Sequence, residues 1–496
     1  RSVSHQVTTL MIGRLLSYAV MFIVPLVNVR TLSVEEYGYY RQFWLILETL
    51  TPMLILGFSR SLLYYLPRHE TREERGAYIT QTVMFLITGS LIAMAVYSLM
   101  GHYLGEGLGA AARAFYWRLC FFTLGWIGTD YMEVIFVAQE QPLAQSIYHA
   151  TAWGVQAAVV IAASYLSHDV NTIIWALTIY SAARLLFAII YTNARYKFSL
   201  HGVSWESIRE QLHFAVPVGL AGIALILVSQ TDKFIISRYM GREAFAIYSV
   251  GAFQVPLANV IQTSIGNVTF PLISKYQKAG NLAAMADLWR RATIKTTTLF
   301  FPMFVFLELT ARPFITILFT EKYAAATPVF MIYMLLFLRS SVETGAIIQA
   351  SNRTVFVMAC FFIGFGMNLG LGILLFKAIG RLGVPISAVF TMTMIGVVTL
   401  TYSARLVKMS VFKLFPWAEL TKRFLAALLP GVVLWFAYKK FPVTNFPELL
   451  AACAIYTLMY AIVCYVTKLV TFDDVRNMFG RSPARLEETT SAGQIG

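Results

Sequence analysis

Charge is scarce in this 496-residue chain: Asp, Glu, Lys and Arg together make up 13% of it. An ordinary soluble domain carries about 25%, so a freely soluble globular protein is excluded. Cysteine is scarce too. Cys120, Cys360, Cys453 and Cys464 lie in or beside apolar runs and show neither CxxC nor Cys/His spacing, which points away from a disulfide framework and a metal site. No Walker A segment is present, so a P-loop ATPase is not suggested, and no cofactor is implied. Acidic residues are fewer than basic ones, 25 against 39, for a formal charge of +14. In a chain this apolar, that excess reads as the positive-inside bias of a membrane protein rather than as a nucleic-acid surface.

What is present is hydrophobic sequence: 58% of residues, with a mean hydropathy of +0.66. A helix needs about 20 apolar residues to cross the hydrocarbon core. The runs resolve into about fourteen such spans, near 7–29, 41–66, 79–101, 116–139, 146–167, 171–193, 212–237, 245–272, 293–317, 328–350, 354–377, 385–407, 422–439 and 447–468. Val7–Val29 is too long for a signal peptide and lacks a small-residue cleavage site. The expected fold is therefore all-α, a polytopic membrane helix bundle. The longest polar connections, Pro67–Tyr78, Asn193–Gln211, Ser274–Lys295 and Arg405–Lys422, fall on one side if the spans alternate. That side, with both termini, holds about 22 Lys and Arg against about 12 on the other, which places N- and C-termini in the cytoplasm. Ser274–Lys295 and Arg405–Arg423 mix basic and aromatic residues and are expected to lie as helices on the anionic inner leaflet.

A weak repeat runs through the chain. A shift of about 208 residues lays Leu32–Tyr40 over Met240–Tyr248, each after the first span of a six-span block. An even number of spans makes the repeat parallel. The expected division is an N-terminal six-helix half (1–195), a C-terminal six-helix half (196–410), two further membrane helices (411–470) and a polar cytoplasmic tail (471–496).

Several segments carry a family likeness. Arg30-Thr-Leu-Ser-Val-Glu-Glu-Tyr37-Gly38-Tyr-Tyr40 resembles the loop after the first helix of polysaccharide flippases in the multidrug/oligosaccharidyl-lipid/polysaccharide exporter superfamily. Asp232-Lys233-Phe-Ile-Ile with Gly241 and Tyr248 is similar to the first helix pair of that family's second half. Pro271-Leu-Ile-Ser274-Lys275, Leu318-Phe-Thr-Glu-Lys-Tyr323 with Pro328, and Gly380 with Gly383-Val-Pro-Ile-Ser-Ala388 follow in the family's order, over roughly residues 7–410. The resemblance implies a translocase for a lipid-linked oligosaccharide in a bacterial inner membrane. Membrane lipids, a glycan polymerase and other polysaccharide assembly proteins are its implied partners.

Ionisable residues within spans usually face a cavity or one another. Arg14 and Arg60 fall towards the cytoplasmic third of spans one and two, without an acidic partner at i±3 or i±4. Two readings stand for each: a cationic pocket for a lipid pyrophosphate, which an arginine fork suits, or snorkelling to headgroups. On the first, Arg14→Ala stops export while the protein still folds. Arg339 and Glu343, four apart on span ten, share a face as an ion pair or a substrate contact. Lys233 points away from Asp232 and either attracts an anion or ties to Glu308. Arg184 is expected to be neutralised by Asp130 or Glu133, with substrate contact the alternative. Glu48, Asp130 and Glu308 are candidates for binding a proton or sodium ion, or else hold helices together. Trp44, Trp117, Trp175 and Trp435 are assigned to the interfacial belt, and Pro25, Pro217, Pro256 and Pro302 are expected to kink spans.

The implied cycle is alternating access between the two halves. An exporter of small cations from the same superfamily would want acidic groups where span one offers Arg14. A membrane enzyme that polymerises or ligates glycans would want a long outer loop with carboxylates, whereas the longest, Gly101–Arg118, has only Glu106. A non-transporting scaffold leaves the intramembrane charges unexplained, and no filter-like loop suggests a channel.

Overall fold

The computed structural model describes residues 22–69, 71–103, 108–199, 203–253 and 255–469, and among these every regular element is helical. In order they are α1 (Phe22–Thr31), α2 (Val34–Ile55), α3 (Phe58–Tyr65), α4 (Arg72–Tyr103), α5 (Ala110–Ala114), α6 (Tyr116–Gly128), α7 (Tyr131–Ala138), α8 (Pro142–Ser167) and α9 (Val170–Tyr196). A second series follows: α10 (Trp205–Tyr239), α11 (Gly241–Gly251), α12 (Pro256–Lys278), α13 (Leu282–Leu309), α14 (Ala311–Phe319), α15 (Thr327–Ser340), α16 (Ala346–Ala350), α17 (Thr354–Ile379) and α18 (Gly383–Leu406). The chain ends with α19 (Val411–Leu414), α20 (Trp417–Lys440) and α21 (Phe446–Val466).

Ten stretches are long and apolar enough to cross a membrane, or up to 12 if each bent pair is one span. One of the ten, Thr354–Leu406, is two helices that double back at Gly380 (φ 69°). They press so closely that a methyl group on Gly383 would stand 2.3 Å from the Leu375 carbonyl oxygen. Only the end of the first expected span, α1, lies within the described residues.

Helix ends follow from the sequence. Ser33 caps α2 in a reciprocal box with Glu36, Ser204 caps α10 with Ser207, and Asp169 caps α9 through the N–H groups of Asn171 and Thr172. Each such cap stabilises its helix by about 1 kcal/mol. Both bent pairs occupy the second position of their series. α2 and α3 meet at 44° around Leu56 and Gly57, which have φ of 47° and 70°. The bend is wedged against α10, where Gly57 faces Ala215 and Gly219. α11 and α12 meet at 48°. Pro256 opens α12, and the residue before a proline is driven out of helical geometry; Val255 is extended. Pro217 and Pro302 stay inside α10 and α13, which run on without a break.

The basic segment Ser274–Lys295 does not lie flat as its own helix. It finishes α12, turns at Gly280–Asn281 and begins α13, with Trp289 and Met285 buried beside Val407 and Leu414. In Arg405–Arg423 only the short α19 stands between α18 and α20.

α10 packs on α17 and α18 of its own series, and also on α2 and α3 of the first. At the end of the bundle where α2 and α11 begin, the series meet tightly. Arg242 pairs with Glu35 at 2.8 Å, a methyl group on Gly38 would stand 2.4 Å from the Arg242 carbonyl oxygen, and Arg30 donates to the Ile317 carbonyl at 3.0 Å. The first two of these contacts join the two segments matched by the repeat. At the other end α12 is loosely held: Ala258 and Ile273 are its only residues classed as buried. α20 and α21 attach to α13, where Arg423 bonds to Thr298 and Glu419, and Tyr460 donates to the Thr298 carbonyl.

Candidate functional site

Each helix series contains a hollow with an arginine and a carboxylate in its wall. The first, of about 360 Å³, lies among α1, α2, α6 and α8. α2 starts seven residues before Arg41, so at 1.5 Å per residue Arg41 is about 10 Å inside the helix. Arg41 and Glu48, seven residues apart, share one face of α2 and both line the hollow. They lie within electrostatic reach of each other, without an ion pair inside 4.0 Å among the described residues. Trp44, Trp126 and Trp153 form an aromatic wall, with ring centroids 5.9 Å apart for the first two and 5.6 Å for the second two. Gln156 and Thr51 add polar groups. Trp44, assigned to the interfacial belt from sequence, therefore lines a cavity instead.

The second hollow, also about 360 Å³, is built from α12, α13, α15, α16 and α18. α15 stops at Ser340, where Ser340 and Ser341 turn their hydroxyls back to the carbonyls of Phe337 and Leu338. Side-chain bonds of this kind compete with the helix. Arg339 thus projects from the last turn into the hollow. Glu343 is not on the same helix face as Arg339, as the i, i+4 spacing suggested. It lies in the break, and its carboxylate accepts the N–H groups of Gly345 (2.9 Å) and Ala346 (2.6 Å). Arg339 instead donates to Thr344 at 3.3 Å, and Thr344 is held in turn by Thr399 at 2.8 Å. A methyl group on Gly396 would stand 2.7 Å from Arg339 Nη2. The guanidinium in this position therefore packs directly on the Gly396 backbone.

A polar chain joins the two series. Lys233 Nζ donates to Gln230 at 2.6 Å, and Gln230 Nε2 donates to Glu48 at 3.2 Å. Lys233 does not reach Glu308. Its neighbour Asp232 is buried and accepts the hydroxyls of Tyr248 (2.7 Å) and Tyr333, so the two adjacent charges are separated as their angle on the helix requires.

Arg184 meets Asp130 and Glu133 as a cluster rather than as a contact pair. Its Nε donates to the Tyr148 hydroxyl at 3.1 Å, and its guanidinium lies 5.3 Å from the Trp126 ring centroid. Its charge reaches both carboxylates, and Glu133 bonds to His149 at 2.9 Å. Asp130 sits at the junction of α6 and α7, near Arg60. Arg60 is exposed on α3 and lines neither hollow. Glu308, near the end of α13, has a buried oxygen with no hydrogen-bond partner. Arg14 lies outside the described residues.

A sequence model of the polysaccharide biosynthesis protein family matches residues 27–328, more than half of the chain. The chain belongs to this family. That match spans both bent pairs and α2, α6 and α8 of the first hollow, and ends before Arg339. No curated protein matches. Among solved structures, the lipid II flippase MurJ in an inward closed conformation is similar at 16% identity and a TM-score of 0.69, covering 92% of this chain and 98% of that one. An inward-facing multidrug resistance MATE transporter is similar at 13% identity and 0.62, covering 79% and 94%. A third, at 13% and 0.56 over 81% and 95%, is a transporter from Pyrococcus furiosus of the same superfamily, described as having a binding pocket of reverse polarity. At these identities the likeness is one of fold. The family resemblance carried by the sequence motifs holds, and this family member is a multi-pass helical membrane protein.

Proposed function

We propose that the protein moves a polyprenyl-pyrophosphate-linked oligosaccharide from the inner to the outer leaflet of a bacterial cytoplasmic membrane, for polysaccharide assembly. The observation that carries this reading is the pair of hollows, one in each helix series, each presenting an arginine and a carboxylate to its interior. A glycan cannot cross hydrocarbon unaided, because its hydroxyls would lose their water partners. A wet hollow supplies replacements while the lipid tail stays in the bilayer. Arg339 is the cation best placed to take the pyrophosphate, since its planar fork donates two parallel bonds to phosphate oxygens. Arg41 and Lys233 follow as the charge passes between the halves. Arg14, Arg60 and Arg184 are assigned lesser or preparatory roles, and Glu48, Asp130 and Glu308 are the groups proposed to exchange a coupling ion.

Both termini are placed in the cytoplasm by the Lys and Arg excess. The end sealed by Glu35–Arg242 and Gly38 is then the outer one, and the loosely held α12 lines a hollow that reaches towards the inner face. Rocking of residues 1–195 against 196–410 would reverse this exposure. A membrane potential negative inside pushes an anion outward at about 2.3 kcal/mol per charge per 100 mV, enough to drive the step without ATP. Deleting the gene tests the reading: one lipid-linked glycan should accumulate, facing the cytoplasm. Unchanged lipid-linked glycans with normal surface polysaccharide would contradict it.

A further inference from the structure

We propose that the hollow among α1, α2, α6 and α8 is a sugar-binding subsite that stacks one or two rings of the transported glycan, a proposal that rests on the flippase reading above. Three observations meet there. Trp44, Trp126 and Trp153 are turned roughly perpendicular to their neighbours, at 79° and 81°, so the wall offers indole surfaces in more than one direction. The C–H faces of a pyranose are apolar and pack against such rings, while its hydroxyl edge needs donors and acceptors. Arg184 over Trp126 steadies the middle ring from within the protein.

A polar group without a protein partner lines the same wall. Gln156 is 7% exposed, yet its side chain makes no hydrogen bond within the described residues. Leaving such an amide unpaired is costly. A hydroxyl-rich ligand would satisfy it. The volume, about 360 Å³, suits a mono- or disaccharide and falls at the small end of ligand cavities.

Arg41 and Glu48 decide against the rival occupant. An aromatic cage with a lone carboxylate selects a lipophilic cation. Here Arg41 stands on the same face as Glu48 and opposes a cation, while the two together can hydrogen-bond vicinal hydroxyls.

The test uses the full-length protein in lipid nanodiscs and saturation-transfer NMR with methyl hexosides and N-acetylhexosamines. Binding of bare undecaprenyl pyrophosphate is measured in parallel. At least one sugar should show transfer to its ring C–H protons. Trp153→Ala should weaken that sugar about five- to tenfold, Trp153→Phe should largely retain it, and both should bind the bare lipid as the parent does. Absence of any sugar signal overturns the proposal, as does a sugar signal indifferent to Trp126→Ala and Trp153→Ala. So does binding of tetraphenylphosphonium that disappears in Trp153→Ala and Glu48→Gln while sugars do not compete. A sugar signal with no binding of the bare lipid would support the subsite and count against the flippase reading.

Discussion

The two hollows are of similar volume and both largely apolar, but they differ in the aromatic groups and in how their arginines are held. The first is aromatic, and its Arg41 has no hydrogen-bond partner among the described residues. The second sets Ser, Thr and Gln among Ile, Val and Phe side chains, and its one tryptophan, Trp289, already spends its N–H on the Glu343 carbonyl at 2.7 Å. Its Arg339 is fixed by Thr344 and by the shelf at Gly396. A fixed guanidinium suits a phosphate of fixed geometry. A loose one beside flat rings suits a glycan whose hydroxyls vary. The contrast teaches that one fold can divide a single amphiphilic headgroup between its two halves.

This division is most exposed to removal of the cations. Arg339→Ala should lower glycan-lipid translocation about tenfold to a hundredfold, the loss expected for one or two charge-assisted bonds. Arg339→Lys should recover only part, because an ammonium lacks the fork. Arg41→Ala should cost less than Arg339→Ala; the reverse order, in the same transport assay, would break the comparison. Gly396→Ala sharpens it without touching a charge. The added methyl pushes aside only the flexible end of Arg339, so transport should fall while Tm hardly changes. A variant as active as the parent would show that Arg339 needs no fixed seat.

The polar chain that ties the first hollow to α10 of the second series should behave as a link. Gln230→Leu unties Glu48 from Lys233. Double-mutant cycles on Glu48→Gln and Lys233→Met should then show about 0.5–3 kcal/mol of coupling in the parent and little in the Gln230→Leu background. Glu35→Gln gives the smallest effect. It removes an ion pair that is half exposed and outside both hollows, worth less than about 1 kcal/mol, and transport should change less than twofold.

The all-helical bundle was legible because long apolar runs leave few alternatives, and helix caps such as Ser33 and Ser204 mark true ends. Trp44 was misplaced by one boundary, and Arg41 was missed altogether. With the second span begun at residue 41, Trp44 looked like an interfacial residue. α2 begins at Val34, two turns earlier, and carries both residues inside. Arg339 and Glu343 illustrate the opposite error: their spacing fits a helix that ends between them at Ser340. Trp126 and Trp153 stand on different helices, and no spacing in the sequence brings them together. The separation of Lys233 from Asp232 was legible, since it depends only on helix geometry.

The central claim is that the protein carries a pyrophosphate-linked glycan through a cavity anchored by Arg339. The direct measurement follows a fluorescent polyprenyl-pyrophosphate oligosaccharide in proteoliposomes, counting the fraction that reaches the opposite leaflet. Parent protein should move it, faster when the potential drives anions in that direction, and correctly inserted Arg339→Ala should move it about tenfold to a hundredfold more slowly. Equal movement by parent and Arg339→Ala, or none by the parent with its own cell's glycan lipid, would contradict the account.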